Sequence, residues 1–317
     1  MNLIIVSQQY DLTTDYLLEW CDSSGIHVVR RNAEAFTDFS FAIDNDSNSI
    51  RLQGHAITAD HVLLNRRGKI NLNPKVSWNN AYVRNYFKKE ANSIARSIEF
   101  NLKNAEQFFG SYEKEADNQK IKHLLNAQKA GMMVPNSLVT TNKKDLRVFY
   151  ERHKPIVTKD VKSGLQFKTL QGTFVTTGTS ELTQETIDGL PDHFLPIYVQ
   201  EMIKKKYELR IFVFKESLYA MAIFAKDKEE IDTRESSSKN LNRSVPYNLP
   251  ELLKGKIQKF MSLSGLDTGS IDIIVDQKNN FVFLEINPQG QIDWLSKNCN
   301  YYIEKNILNS IRDEKSE

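Results

Sequence analysis

The sequence predicts a mixed α/β fold, and three features of it carry the prediction. Residues Leu3 to Arg30 run as apolar strand, amphipathic helix and second strand. Apolar residues recur at helical spacing from Ala81 to about Phe109. Near the end, Ile271 to Val275 and Phe281 to Ile286 are β-branched and aromatic runs around a polar turn, Gln277-Lys278-Asn279-Asn280. With 317 residues the chain can bury a large core, and its length suggests about two domains.

The elements follow in order. Leu3 to Val6 is a buried strand, Asp15 to Cys21 a short helix ending near Gly25, and Ile26 to Arg30 the next strand. Phe39 to Ile43 and Ser49 to Leu52 form a hairpin around Asn45-Asp46. His61 to Leu64 is another strand, followed at once by Asn65-Arg66-Arg67-Gly68. In the long helix, Val83, Phe87, Ala91, Ile94, Ile98 and Leu102 share a face, and Gly110 closes the first domain. A helix from Gln119 to Ala130 stops at Gly131, and Val134-Pro135 leads into a strand through Val139. Lys154 to Lys159 and the stretch to Thr179 read as strands with loops. Ile197 to Ile203, Leu209 to Phe214 and Ser217 to Phe224 are strands, and Lys226 to Asn242 is a polar exposed loop. Leu252 to Ser264 is a helix, the hairpin follows, and Tyr301 to Ile311 is the closing helix.

Composition narrows the function. Lys and Arg number 42 against 40 Asp and Glu, so nothing suggests a nucleic-acid or membrane surface. Cys21 and Cys299 fit no metal spacing and read as unpaired thiols of a reducing compartment. The opening apolar run is too short for a signal peptide or a membrane span, so the expected location is cytoplasmic. Gly164 and Gly172 are too sparse for a Walker loop or a dinucleotide fingerprint. The histidines form no cluster, and no G-x-S-x-G or Cys-His pairing supports covalent nucleophilic catalysis.

The closing hairpin is the most informative chemical segment. A symmetric turn of even length pairs Asp276 with Phe281 and sets Asp272 opposite Glu285. Side chains alternate along a strand, so Glu285 and Asn287 then share a face with Asp272. Like charges directly opposite one another destabilise a sheet. Oxygen ligands converging on one face suit a hard divalent cation, and Mg²⁺ typically pairs one or two carboxylates with substrate phosphates. A solvated polar face is the alternative, and a three-residue turn would slip the register.

Lys159 ends the strand IVTK, and Lys120 starts the preceding helix; either can present a point charge to a phosphate or stand in solvent. Tyr198-Val199-Gln200-Glu201-Met202-Ile203 offers backbone donors and acceptors plus an apolar wall, which suits an adenine edge. On Tyr207-Glu208-Leu209-Arg210-Ile211, Glu208 and Arg210 point the same way, one toward ribose hydroxyls and the other toward a phosphate or carboxylate. An edge strand with an outer salt bridge is the plain alternative. Arg66 and Arg67, with Arg234 and Arg243 in the polar loop, can fork onto a carboxylate or stay exposed.

Taken in order, these segments resemble the ATP-grasp superfamily of carboxylate ligases, over roughly Gln119 to Asn298. The matching pieces are Lys120 with the helix end and Val134-Pro135, Lys159, QEMI, YELRIFVF, SIDIIV and FLEINPQGQ. The last, with Asp272, Glu285 and Asn287 in order, is the most specific. Three further segments resemble the graspetide peptide maturases of the grasp-with-spasm type: NRRG (Asn65 to Gly68), IDTR (Ile231 to Arg234) and NRSVPYNLP (Asn242 to Pro250). Thr233 departs from the aromatic expected there.

The resemblance implies an ATP-grasp fold: an N-terminal pre-ATP-grasp domain over 1–112, then α+β subdomains over 113–196 and 197–317 with the nucleotide between them. It implies ATP and Mg²⁺ as cofactors. Lys120, Lys159, Gln200, Glu201, Met202, Ile203, Glu208 and Arg210 would hold the nucleotide, and Asp272, Glu285 and Asn287 the metal. Arg210 and Arg234 would act in catalysis, and Arg66, Arg67, Arg234, Asn242 and Arg243 would bind substrate. The implied partner is a ribosomally made precursor peptide, a leader plus a core rich in Thr/Ser and Asp/Glu, and the expected assembly is a homodimer. The implied reaction joins side-chain carboxylates of that peptide to its hydroxyls or amines as ω-esters or ω-amides. A ligase adding free amino acids to a small acid or a protein terminus is the same-class rival. A nucleotide-binding module without turnover is the rival of another class.

Overall fold

The structure is a computed structural model describing residues 2–73, 79–104, 108–162, 166–168, 174–176, 178–225 and 242–313. Strand β1 (Asn2–Ser7), helix α1 (Leu12–Ser23) and strand β2 (His27–Asn32) open it. A small antiparallel sheet follows, of β3 (Phe39–Ile43), β4 (Asn48–Leu52) and β5 (His55–Ala56). Next come β6 (His61–Asn65), α2 (Ala81–Asn104) and β7 (Phe108–Phe109), and the order β2-β1-β6-β7 makes a parallel sheet. Leu3 to Val6 are all buried, as expected of a strand covered on both faces.

The long helix is shorter than its periodicity suggests. It ends at Asn104, and Phe108 and Phe109 are strand residues paired with Leu63 and Leu64. Both rings are buried, and those aromatics at helical phase pack better against β6 than on a further helical turn. Gly110 follows at φ +78°, where a Cβ would lie 2.2 Å from the Asn65 carbonyl oxygen, so this close approach requires glycine.

The middle of the chain holds α3 (Tyr112–Ala116), α4 (Lys120–Lys129), β8 (Ser137–Asn142), α5 (Lys143–His153) and β9 (Ile156–Thr158). A short hairpin, β10 (Gln166–Lys168) with β11 (Phe174–Thr176), precedes β12 (Ser180–Leu182), α6 (Gln184–Gly189) and β13 (His193–Glu201). The order β12-β9-β13-β8 is antiparallel. Helices α5 and α6 were not foreseen, yet each starts on a side-chain cap: Asn142 accepts from the Lys144 N–H, and Thr183 from the Thr186 N–H.

The last part contains β14 (Lys205–Phe214), β15 (Ser217–Phe224), β16 (Arg243–Pro246), α7 (Glu251–Ser264), β17 (Thr268–Asp276), β18 (Phe281–Asn287), α8 (Asp293–Cys299) and α9 (Ile303–Asp313). Its sheet runs β16-β15-β14-β17-β18, antiparallel throughout. Of the polar loop expected over Lys226 to Asn242, only Asn242 is described; Arg234 and the rest of IDTR lie outside the described residues.

Alternation along β14 explains how this sheet serves both core and site. Leu209, Ile211 and Val213 face α4 and α7 in one apolar cluster with Ile257, Phe260 and Phe283. On the other face the strand changes character. Phe212 and Phe214 join a second cluster with Leu3 and Leu17 of the N-terminal sheet and helix and Ile303 and Ile307 of α9. Glu208 and Arg210, on the same face, are left to line a cavity. The N-terminal unit therefore shares its core with the C-terminal sheet. Cys21 and Cys299 lie free in that shared cluster, where burial pushes both thiols up to about 11. Among the described residues no helix is long and apolar enough to cross a membrane.

Candidate functional site

The site grows from the β17–β18 hairpin, whose register reaches the expected pairing by an unexpected route. The turn puts Val275 opposite Phe281, with Asn279 in the left-handed region at φ +63°. That is one residue out of step with the pairing of Asp276 and Phe281 expected from the sequence. A bulge at Leu284 then restores the register, and Asp272 stands opposite Glu285. Phe283 and Ile286 both enter the apolar cluster beneath, which the extra residue between them allows. Leu284 and Glu285 consequently both line the cavity above.

That cavity measures about 1240 Å³ and lies between the antiparallel sheets. Three acidic groups that line it, Asp272, Glu285 and Glu208, are each matched to a cation. The Arg210 Nη1 donates to both oxygens of Asp272, at 2.6 and 2.8 Å. Lys120 Nζ lies 3.1 Å from Glu285 Oε2 and donates to the Asp160 carbonyl at 3.1 Å. Lys205 Nζ donates to Glu208 Oε1 at 2.8 Å. Charge-assisted pairs of this kind are roughly twice as strong as neutral hydrogen bonds. They hold the carboxylates aimed into the cavity and neutralised.

Most of the expected site residues are brought together here. Lys159, Gln200, Met202, Ile203, Glu208, Arg210, Asp272, Glu285, Asn287 and Arg67 all line the cavity, and Lys120 reaches it through Glu285. Gln200 is buried and accepts from the Tyr198 hydroxyl at 3.0 Å, and the Met202 N–H donates to the Pro155 carbonyl. The Glu201 side chain turns the other way, accepting from the Asn136 backbone and carboxamide at 3.0 and 3.1 Å.

Arg66 also turns away, because it is only 7% exposed. Its guanidinium donates to the Gln289 carbonyl at 2.7 Å and to Thr13 Oγ1 at 3.3 Å. It is therefore an internal contact and not a substrate-facing arginine. Arg243 sits over the Phe224 ring, and neither it nor Asn242 is among the lining residues. Sequence reasoning missed Lys204, Lys205 and Lys206, Gln291 and Trp294, which all line the cavity. The lysine run between QEMI and YELRIF was a visible signal for the first three.

The donor set can be compared with what Mg²⁺ accepts. Asp272 and Glu285 supply hard oxygens from directly opposed positions, and Asn287 shares their face. Among the described residues no three or more carboxylate, histidine or cysteine side chains are grouped so that they could hold a metal ion by themselves. Two carboxylates with room for phosphate oxygens suit Mg²⁺ and fit zinc poorly.

A family profile described as a RimK-like ATP-grasp domain matches residues 116–311. No curated protein matches the sequence. Among solved structures, the chain is similar to a RiPP-associated ATP-grasp ligase of Chryseobacterium gregarium, in complex with ADP and a leader and core peptide. The TM-score is 0.80 at 22% identity, over 99% of this chain and 97% of that one. It is similar to the macrocyclase MdnC of Microcystis aeruginosa, bound with precursor peptide MdnA, at TM-score 0.77 and 22% identity over 99% and 100% of the two chains. The ATP-grasp ligase PsnB, complexed with minimal precursor, Mg and ADP, gives 0.75 and 17% over 99% and 98%. Since the profile spans more than half of the sequence, the chain belongs to the RimK-like ATP-grasp domain family and is an ATP-grasp ligase.

Proposed function

We propose that this ligase is a graspetide maturase, joining Asp or Glu side chains of a ribosomally made precursor peptide to its own Ser or Thr hydroxyls or Lys amines. The observation that carries the reading is the cavity, in which the paired carboxylates and cations of a phosphoryl-transfer site share one space with Arg67 and Trp294. Its volume of about 1240 Å³ exceeds the roughly 300–1,000 Å³ of a typical small-molecule pocket. A nucleotide and a peptide segment can therefore occupy it together. Similar folds solved with precursor peptides support the same partner.

The chemistry starts from an inert carboxylate. Its oxygen attacks the γ-phosphorus of ATP, ADP leaves, and an acyl phosphate forms on the peptide. A hydroxyl or amine of the same peptide then attacks the acyl carbon, and inorganic phosphate departs with the C–O bond to it broken. The peptide loses one water per bond. Lys120 and Lys159 would bind the α- and β-phosphates, and Met202 and Ile203 would wall the adenine. Glu208 would accept from the ribose once Lys205 yields it. Arg210 would hold the transferring phosphoryl group, and Arg67 with Arg234 the peptide carboxylate. Asp272, Glu285 and Asn287 would hold Mg²⁺, which when bound neutralises charge on the phosphates. Tethering acid and nucleophile on one bound peptide raises their effective concentration, so closure needs positioning and exclusion of water.

Incubation with ATP, Mg²⁺ and a precursor peptide from a neighbouring reading frame tests the reading by mass. Loss of one water per bond is expected. A gain in mass points to ligation of free amino acids, and nucleotide binding without phosphate release points to a module without turnover.

A further inference from the structure

Arg66 is a buried cation that does not line the cavity. Arg66 follows Asn65 at the end of β6, and its backbone N–H and that of Arg67 both donate to the Val6 carbonyl, at 2.9 and 3.1 Å. Its guanidinium crosses to a segment 223 residues later, where Nη1 meets the Gln289 carbonyl at 2.7 Å. Asp11 lies 3.7 Å from its Nε, and Thr13 takes a second donor at 3.3 Å. Burial works against the charge, and Asp11 with Glu115 favours it. A full charge enclosed this way is expensive to keep unless its geometry does something.

What it holds is the loop that follows the metal-site strand. The Gln289 N–H donates to Asn287 Oδ1 at 3.1 Å, and the Gly290 N–H to the Asn287 carbonyl at 3.1 Å. The Gln289 side chain reaches Asn65 Oδ1 at 2.6 Å. Gly290 lies so close to Ser270 that a Cβ would come within 2.0 Å of its hydroxyl. The loop is thus pressed between β17 and the end of β6. On either side of this clasp, Asn287 at the end of β18, Gln291 in the loop and Arg67 beside Arg66 line the cavity.

We propose that Arg66 is a positioning residue: by gripping the Gln289 carbonyl it fixes Asn287 and Arg67, the metal-side and peptide-side groups, in one relation across the cavity. The proposal rests on the ATP-grasp reading of the cavity, and it assigns Arg66 a role other than direct substrate contact. Groups that orient a ligand of a metal without touching the metal commonly change metal affinity by about 10–100-fold when altered.

The test uses Arg66→Lys, which keeps a cation near Asp11 but cannot serve Thr13 and the Gln289 carbonyl at once. Mg²⁺ is titrated calorimetrically into the full-length protein saturated with ADP, and amide hydrogen exchange is followed over 287–291. We expect Mg²⁺ affinity to fall about tenfold or more, ADP affinity without Mg²⁺ to stay within about twofold, and exchange over 287–291 to rise. Unchanged Mg²⁺ affinity overturns the proposal. If Arg66→Lys does not fold, the double variant Asp11→Asn/Arg66→Met takes its place; it removes the buried charge pair together and leaves the Gln289 carbonyl ungripped, with the same expected fall and the same overturning result. Should wild-type protein with ADP bind no Mg²⁺, the metal reading fails by itself. The exchange data then decide for Arg66: faster exchange supports the clasp, and unchanged exchange overturns it.

Discussion

Arg210 and Asp272 face each other at paired positions of β14 and β17, and one arginine nitrogen bonds both carboxylate oxygens. Both oxygens that would serve a divalent cation are thus already given to a cation of the chain. A metal held there would compete with Arg210 for the lone pairs of Asp272, and its charge would favour release of the guanidinium toward the phosphates. Lys120 on Glu285 stands in the same relation. On the proposed reading, the residues that would bind metal and those that would bind phosphate restrain each other.

Replacement at this pair gives the first prediction. Asp272→Asn keeps the shape but removes the negative charge, and Glu285→Ala removes the opposed oxygen. Each should lower turnover by at least about 100-fold, the scale of losing one preorganised electrostatic contact in a transition state. The fold should stay intact, since both side chains face the cavity and not the apolar cluster beneath. Near-normal ligation by either variant, with an unchanged far-UV spectrum, would remove the metal assignment.

The hairpin also shows where sequence reasoning succeeds and why it stops. The facing of Asp272 and Glu285 was legible because alternation and the apolar face demand it. The route was not, since a left-handed Asn279 and a bulge at Leu284 are two offsetting register changes that no hydrophobic pattern marks. Helix α5 escaped because it buries only Leu146, leaving little periodicity beyond its Asn142 cap. The strand at Phe108 was hidden because two aromatics fit a helical face as well as a short parallel pairing. Arg66 and Arg67 are neighbours of the same type. One is clamped inside and the other open to the cavity, a division set by contacts far away in sequence.

Leu284 yields a second prediction. The bulge turns its side chain into the cavity beside Ile274, Met202 and Ile203, where it adds to an apolar wall. Leu284→Ala should weaken nucleotide binding by about 1 kcal/mol, or roughly fivefold, a fraction of full burial of a leucine because this one is already half-buried. Calorimetric titration with ADP measures it. An unaltered affinity would take Leu284 out of the nucleotide wall.

Arg234 tests the peptide side. It lies in the segment IDTR, outside the described residues, and its assignment rests on the resemblance of that segment. Arg234→Ala should depress peptide modification by more than about tenfold while ATP hydrolysis without peptide stays within about twofold, since losing a carboxylate fork costs a charge-assisted contact. Mass spectrometry and phosphate release, measured on one sample, separate the two rates. Parallel loss of both would move Arg234 into the nucleotide site.

The last prediction concerns pH and a histidine away from the cavity. His123 of α4 is 6% exposed and packs edge-on against Phe260, with ring centroids 6.1 Å apart. Burial, helped by Lys122 and Lys114 and opposed by Asp117, pushes its pKa down from 6.5 to about 4. The folded chain therefore keeps the imidazole neutral where the unfolded chain protonates it. Between those two values the unfolded state binds more protons, so stability rises with pH. The contribution is fully present above about 6.5 and is lost as pH falls toward about 4. His123→Leu deletes this titration and keeps an apolar side chain against Phe260. The wild-type melting temperature should then fall more steeply than the variant's between pH 6.5 and 4, narrowing or reversing any advantage the wild type holds at neutral pH. A gap between the two proteins that stays constant across that window would show that His123 carries no part of the acid sensitivity.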